Sequence, residues 1–472
     1  MDKRERLNKI SVREKVAFGM ANMGNIPIMA LVGTYLLIFY TDIVGLNPAA
    51  VATLFIFSRI LDGINDPIMG FVIDHLPKSR MGRFRPYLII GVILCAVNYL
   101  MLWFAPLLFP GIKLVVVYIT YLLIGISFDM MDIPLNAMIP VMTDDEKERG
   151  SLSAIKGASY MVGILGIGMA APLIIQKFGN SVTGYLVLVG GATAIVLIFS
   201  IIGALGIKER VQPTNEEKYK FRDLFSILRE RPVVISFVVS LLGGVAMTTA
   251  SSSNIYFATY ILDNRMDVLS FSSLISMGGM FAGMFLTSRL IGRLGKKTLY
   301  GGSIVLFGIF MLIRLFSVTN IPLIYLTSLL GGVGSGGMMA LSYGIQADNV
   351  DYIDFKRGTR AEGALASLNS FVIKAGQGFG GAIPGYVLAA TGYAANQAQI
   401  GSAITGIIGI TILIPGLINI VSGIIFIAGY NLDKDKMSEI TDTLRARRKS
   451  MEKEKKNRET VSGNPAFEQA SI

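Results

Sequence analysis

The chain is poor in the residues that most often carry soluble chemistry. Of its 472 residues, one is cysteine, one histidine and one tryptophan. The single thiol, Cys95, excludes an intrachain disulfide, and its place inside an apolar run leaves the redox compartment unread. The single imidazole, His75, excludes a histidine-based metal centre or proton relay. No nucleophile–base pair or redox centre is evident, so no enzyme and no cofactor are expected. No small-residue cleavage pattern follows the first apolar run, so no cleavable signal is expected. Charge is scarce too, at 16% of residues, where soluble domains carry roughly 25%.

Hydrophobicity takes its place. Apolar residues make up 52% of the chain and gather in runs of the ~20 residues that a spanning helix needs. The pattern predicts spans over 16–40, 48–73, 87–107, 112–140, 151–177, 182–207, 232–262, 268–293, 298–317, 322–347, 364–390 and 402–430. The expected fold class is therefore an all-α membrane protein with twelve transmembrane helices. The net charge of +11 is not a nucleic-acid footprint. The intervening loops hold only Lys113, Lys177 and Arg265, and the spans hold Arg59, Lys156, Arg314 and Lys374. Every other basic residue falls in the N-terminus, the tail, or the alternate loops and the span end that runs into one of them (Arg289 and Arg293). That asymmetry predicts that both termini are cytoplasmic, in a cell (inner) membrane.

The polar stretch 208–231 divides the spans equally. The expected organisation is an N-terminal six-helix bundle (1–207), a cytoplasmic linker (208–231), a C-terminal six-helix bundle (232–430) and a charged cytoplasmic tail (431–472). Within the tail, S-E-I-T-D-T-L-R-A-R-R-K suggests a short surface helix. The loops Gly70–Arg85 and Ser288–Lys297 echo one another, both short, basic and glycine-punctuated. Two glycine-rich runs, Gly331–Gly337 and Gly376–Gly385, imitate phosphate loops. Neither carries the following Lys-Ser/Thr, so they read as small residues that let helices approach closely.

Two acidic clusters stand out because each interrupts a span. A carboxylate there costs at least ~2.5–3.5 kcal/mol, which a cation, a basic side chain or water must offset. Asp62, Asn65 and Asp66 are spaced i, i+3, i+4 and share a helix face with Arg59. Asp129, Asp132 and Asn136 share a face of span 4. Clustered carboxylates with an amide supply the oxygens that a hard cation wants, or hold a proton once burial raises their pKa. Pro67 and Pro134 free the carbonyls of Gly63 and Met130, which become candidate further ligands. The plainer alternative is that Arg59 neutralises one acid while the others reach an aqueous vestibule.

Other polar groups suit a solute. Lys374 shares a face with Ser370 and Gln377, and Lys156 with Ser153 and Tyr160. The hydroxyl-rich run Thr248–Tyr256 fits either a polyol or helix packing. Arg314 is expected to snorkel to the interface, and Trp103 to sit in an interfacial belt.

At the acidic clusters the chain resembles the glycoside–pentoside–hexuronide:cation symporters of the major facilitator superfamily (MFS). The resemblance rests on Y-T-D-I-V-G-L (Tyr40–Leu46), D-G-I-N-D-P-I-M-G (Asp62–Gly70), M-G-R-F-R-P (Met81–Pro86), M-D-I-P (Met131–Pro134) and D-Y-I-D-F-K (Asp351–Lys356). It implies import of a sugar, glycoside or hexuronide coupled to a monovalent cation, Na⁺ or H⁺, by alternating access. By position, Asp62, Asn65 and Asp66 match the family's cation site, and Asp132 matches an acid shared between sugar and cation. Lys374 matches the lysine of span 11. The melibiose permease, a well-known member, has threonine at Asp129, Lys-Asp at Asn25-Ile26, tryptophan at Asn136, and a span-5 arginine whose nearest counterpart is Lys156. The departures leave the cation machinery and put an α-galactoside in doubt.

The expected site is thus Asp62, Asn65, Asp66 and Asp129 for the cation, and Asp132, Asn136, Lys156, Lys374 and Asn25 for the solute. Arg83, Arg85, Asp351 and Asp354 are expected to latch a cytoplasmic gate. The expected partners are a small-molecule sugar or glycoside, the cation and the lipid bilayer, for a protein acting as a monomer without nucleic acid. The alternatives are an MFS carrier of a non-sugar solute and a membrane sugar sensor that moves nothing.

Overall fold

A computed structural model describes residues 10–75, 79, 81–143, 145–210, 229–358 and 362–447. Those residues are overwhelmingly helical, as lipid requires, because a helix satisfies its own backbone without water. Nine helical elements among them are long and apolar enough to cross a membrane.

α1 (Val12–Ile38) continues through a π turn at Phe39–Ile43. A reciprocal cap starts it: the Ser11 hydroxyl accepts from the Glu14 amide, and the Glu14 carboxylate accepts from the Ser11 amide. α2 (Pro48–His75), α3 (Arg85–Leu108), α4 (Lys113–Asn136), α5 (Glu146–Phe178) and α6 (Val182–Gly206) follow. Asp145 and Ser181 cap α5 and α6 through their side-chain oxygens. After the linker come α7 (Arg231–Tyr260) and the element Met266–Ile313. Gly295, at φ +75°, breaks that element into α8 (266–294) and α9 (296–313). α10 (Ile321–Arg357), α11 (Glu362–Ala390) and α12 (Gly401–Gly429, with a π turn at Gly409–Leu413) complete the set. The suggested tail helix is present as α13 (434–447). Ile440 and Leu444 are buried in a cluster with Val239, Ile304, Phe426 and Tyr430.

Helices α1–α6 pack mainly with one another, apart from α2, whose main partner is α11, and α7–α12 pack mainly with one another too. The glycine runs do pack helices. A Cβ on Gly332 or Gly336 would lie 2.2 or 2.0 Å from a carbonyl of α8, and one on Gly376 or Gly380 within 2.4 Å of a carbonyl of α7. Each seam therefore closes to backbone contact.

Three seams join the two groups: α2 with α11, α5 with α8, and α1 with α7. Cross-group hydrogen bonds gather at the end remote from the termini. Thr53 meets the Tyr386 hydroxyl at 3.0 Å, Ser270 donates to the Met169 carbonyl at 3.0 Å, and Thr41 meets Tyr256 at 2.8 Å. Gly385 lies so close to α2 that a Cβ would be 2.5 Å from the Pro48 carbonyl. The groups are clamped at the far end.

Two expectations change here, and a third question gains detail. Trp103 is fully buried and stacks on Tyr185 with ring centroids 5.7 Å apart, beside Phe39 and Tyr99. An aromatic pocket between α3 and α6 holds it, not the interface. Arg314 does not snorkel. It donates to the hydroxyls of Thr327 and Ser328 on α10 at 2.8 Å each. Of the span 7 hydroxyls, Thr249 donates across to the Gly380 carbonyl of α11 at 2.9 Å, while Ser252 and Ser253 donate to carbonyls of their own helix.

Candidate functional site

The contact between α2 and α4 gathers three of the four residues expected around a cation. The Arg59 guanidinium donates to Asp62 at 3.0 Å, and both side chains are about three-quarters buried. One helical face holds both, because they are three residues apart. Asn65 donates to Asp129 at 2.7 Å, and Asp129 is 8% exposed. Gly125, one turn before Asp129, makes room for the first acid, since a Cβ there would lie 2.7 Å from Asp62 Oδ1. The side chain of Asp66 lies outside the described residues. So does Gly63 beyond its place in α2. The Met130 carbonyl turns to α3, where a Cβ on Gly91 would meet it at 2.6 Å. It is therefore engaged by helix packing instead of presenting a free ligand. Among the described residues, no three acidic, histidine or cysteine side chains converge at metal-binding spacing. The charge on Asp62 is met by Arg59, and the acid opposite an amide is Asp129.

One turn further along α4, Asp132 organises a second cluster. Asn25 of α1 donates to one carboxylate oxygen at 3.2 Å, and Asn136 donates to the other at 2.6 Å. The Lys156 ammonium of α5 donates in turn to the Asn136 amide oxygen. Lys374 of α11 joins Lys156 in placing positive charge in the field of Asp132. All five residues expected at the solute site thus belong to one network, four by hydrogen bonds and Lys374 by its charge. The Asn25 amide oxygen is buried and has no hydrogen-bond partner. A buried acceptor left unmatched is costly, so a donor arriving here gains more than it would in water.

Within the C-terminal group, α7, α9, α10, α11 and α12 surround a cavity of about 290 Å³. Ser240, Gln346, Asn349, Asn369, Gln377 and Tyr300 line it, and no Asp, Glu, Lys or Arg does. The lining, drawn entirely from the C-terminal helices, offers neutral hydrogen-bonding groups.

The residues expected at the gate have several contacts of their own. The Arg85 guanidinium donates to the Ala204 carbonyl at 3.0 Å and the Leu205 carbonyl at 2.7 Å, within its own group of helices. Arg83 lies over the Phe84 ring, 5.5 Å from its centroid. Asp351 borders a groove shared with Lys296, Asp348 and Arg445 of the tail helix. Asp354 lies one turn beyond it on α10. No ion pair joins Arg85 to Asp351 among the described residues.

Three acids that sequence reasoning missed hold this scaffold. Glu209 accepts from the backbone amides of Arg83, Phe84 and Arg85 at 2.8, 2.8 and 3.0 Å, a carboxylate at the N-terminus of α3. It also explains the glycine of M-G-R-F-R-P. Gly82 has φ +109°, and a Cβ on it would lie 2.5 Å from Glu209 Oε1. Glu230 binds Lys356 at 2.7 Å and Arg357 at 2.9 Å. Burial alone would raise its carboxyl pKa. The hydrogen bonds and charges of Lys356 and Arg357 outweigh that and hold it below its ordinary value. Asp42, at the far end of α1, is the third. Its only signal in the sequence was membership of Y-T-D-I-V-G-L.

Comparison with known proteins converges on one family. The model of a family described as MFS/sugar transport protein matches residues 17–434. The "uncharacterized symporter YnaJ" of Bacillus subtilis is 32% identical over 94% of this chain and 97% of its own length. The "isoprimeverose transporter" of Lactiplantibacillus pentosus is 31% identical over 85% of each chain. Among solved structures, the nucleoside transporter NupG superposes with a TM-score of 0.62 at 12% identity, over 89% of this chain and 100% of that one. That likeness speaks for the fold alone.

Proposed function

Since the chain belongs to the MFS/sugar transport family and is a multi-pass membrane transporter, not an enzyme, we propose that it imports a sugar-like solute together with Na⁺ or H⁺. The reading has twelve spans, with α8 and α9 counted separately and α2 and α11 included. Both termini face the cytoplasm, so the far-end clamp lies outside and the protein is held open inward.

The observation that carries the proposal is the adjacency of two networks on α4. Asp129 faces Asn65 of α2 at 2.7 Å, and Asp132, three residues on, faces Asn25 of α1 at 3.2 Å. A cation arriving between α2 and α4 adds positive charge beside Asp129 and Asp62. Neutralising those acids lets α2 and α4 settle together, and α4 then fixes where Asp132 meets the solute. Binding of either partner thereby favours the geometry the other needs, which is reciprocal coupling. Solute hydroxyls would be met by Asn25, Asn136 and the neutral cavity wall. Arg59 supports the site by orienting the Asp62 carboxylate, to which it donates at 3.0 Å.

The charges also bear on the cargo. The ammonium groups of Lys156 and Lys374 bring positive charge to the surroundings of Asp132. A carboxylated sugar, such as a hexuronide, would find cationic donors there. Uptake of labelled neutral glycosides, pentosides and hexuronides by cells expressing the protein tests this, with and without an inward Na⁺ gradient at two pH values. We expect gradient-driven accumulation that Asp62→Cys abolishes. Transport of neutral sugars with no transport of or competition by hexuronides would sink the anionic cargo. Failure of every sugar to move, with the protein confirmed in the membrane, would sink the sugar assignment.

A further inference from the structure

Asp42 is 7% exposed at the far end of α1 and meets no basic side chain among the described residues. Its partners are neutral donors from both groups of helices. From the N-terminal group come the Thr41 hydroxyl at 2.8 Å and the Asn180 amide, from the turn before α6, at 3.3 Å. From the C-terminal group come the Tyr260 hydroxyl at the end of α7, at 2.6 Å, and the Tyr393 hydroxyl beyond α11. The Asn396 side-chain amide reaches the Asp42 backbone carbonyl at 2.6 Å. Tyr256 and Tyr260 pack edge-on against Tyr393, with centroids 5.4 and 5.5 Å apart. Tyr256 also meets Thr41 at 2.8 Å.

We infer that Asp42 is the positioning residue of the outer gate, the group whose carboxylate ties α1 to α7 and to the segment after α11 and so holds the far end shut. The inference rests on the alternating-access reading above. Hydrogen bonds to an ionised acceptor are roughly twice as strong as neutral ones, and here donors from both groups converge on one carboxylate. Opening the far end must withdraw Tyr260, Tyr393 and Asn396 together. The choice of partners suits a contact that breaks in every cycle. A lysine or arginine would add an ion-pair attraction that every opening must break, whereas tyrosine and asparagine part as neutral groups and water replaces them on the exposed carboxylate. The gate therefore closes on charge-assisted bonds and opens without separating an ion pair.

The test uses the full chain with Cys95→Ser as background, so that added thiols are the only ones. Spin labels at Gly111→Cys and Phe316→Cys report the separation of the far ends. Both sites lie outside the site and the latch, Gly111 with open space around it and Phe316 at 88% exposure. Against this background, Asp42→Ala and Asp42→Asn are expected to add a longer-distance population, and the pair Tyr260→Phe with Tyr393→Phe to shift the distances in the same direction. An unchanged distribution in well-folded variants overturns the inference. Should Asp42→Ala fail to fold, the tyrosine pair decides alone. A purely structural role would lower yield and thermal stability with no longer-distance population. The distances do not depend on which solute moves. A shift without sugar uptake leaves the latch standing and removes the cargo assignment, and uptake without a shift does the reverse.

Discussion

Adding a single methyl at Gly385 should unbalance the two halves of the cycle. In the present arrangement a Cβ at this position would lie 2.5 Å from the Pro48 carbonyl oxygen and 2.8 Å from the Ala52 Cβ. Ordinary contact begins near 3.4 Å, and the nearer atom is backbone, so no rotamer change relieves the clash. α11 must withdraw from α2, against the rigidity of a packed seam. Overpacking of this kind costs ~1–3 kcal/mol. The strain applies only while the far end is closed, so it comes off that state alone. With ~1.4 kcal/mol for each factor of ten, Gly385→Ala should raise the ratio of outward-open to outward-closed protein by about 5- to 150-fold. The assay places one cysteine behind the seam, Thr248→Cys on α7 in a Cys95→Ser background, and measures its rate of modification by a membrane-impermeant thiol reagent added outside. The Thr248 methyl lies 3.6 Å from where a Cβ of Gly381 would stand, so a closed seam shields the thiol. Gly111→Ala, at a position with open space around it, is the control expected to change nothing. A labelling rate that rises less than about twofold for a well-folded Gly385→Ala would refute the assignment of this seam to the gate.

Three further outcomes follow from the geometry. Gly125→Ala presses on Asp62 Oδ1 across 2.7 Å and swings the carboxylate aside. Losing one charge-assisted hydrogen bond, at ~1.5–3 kcal/mol, should raise the cation concentration for half-maximal uptake about tenfold or more, and an unaltered cation dependence would count against Asp62 at the site. Glu209→Ala frees three backbone amides at the start of α3 and should lower stability by ~0.5–2 kcal/mol, read as an earlier thermal transition in detergent, with solute affinity nearly intact. Glu230 binds its proton less tightly folded than unfolded. Its contribution is therefore complete above its ordinary pKa and is lost as pH falls through the lowered folded value. Melting profiles taken at successively lower pH should show this acid loss in the parent and lack that component in Glu230→Gln. An identical acid profile in both would dismiss the ion-pair account.

The sequence by itself determined the class and much of the chemistry. Long apolar runs can satisfy their backbones in lipid only as helices, so membrane helices were legible from Val12 to Gly429. Acids inside such runs are too costly to be incidental, so Asp62, Asp129 and Asp132 announced themselves, and spacing placed each set on one face. Only tertiary structure decided which partner each would take. The choice of Arg59 for Asp62, Asn65 for Asp129 and Asn25 for Asp132 depends on how α1, α2 and α4 cross, and on whether a glycine such as Gly125 or Gly91 lets them approach. The same reason hid what lies at helix ends. Trp103 and Arg314 look interfacial by position along a span, yet neighbouring helices supply a ring and two hydroxyls that hold them inside. Glu209 meets the start of α3 from more than a hundred residues away in the chain. Asp42 gathers donors from four segments that only the clamped far end brings together. Local pattern tells which residues are expensive to bury, and the crossing of helices decides what offsets that expense.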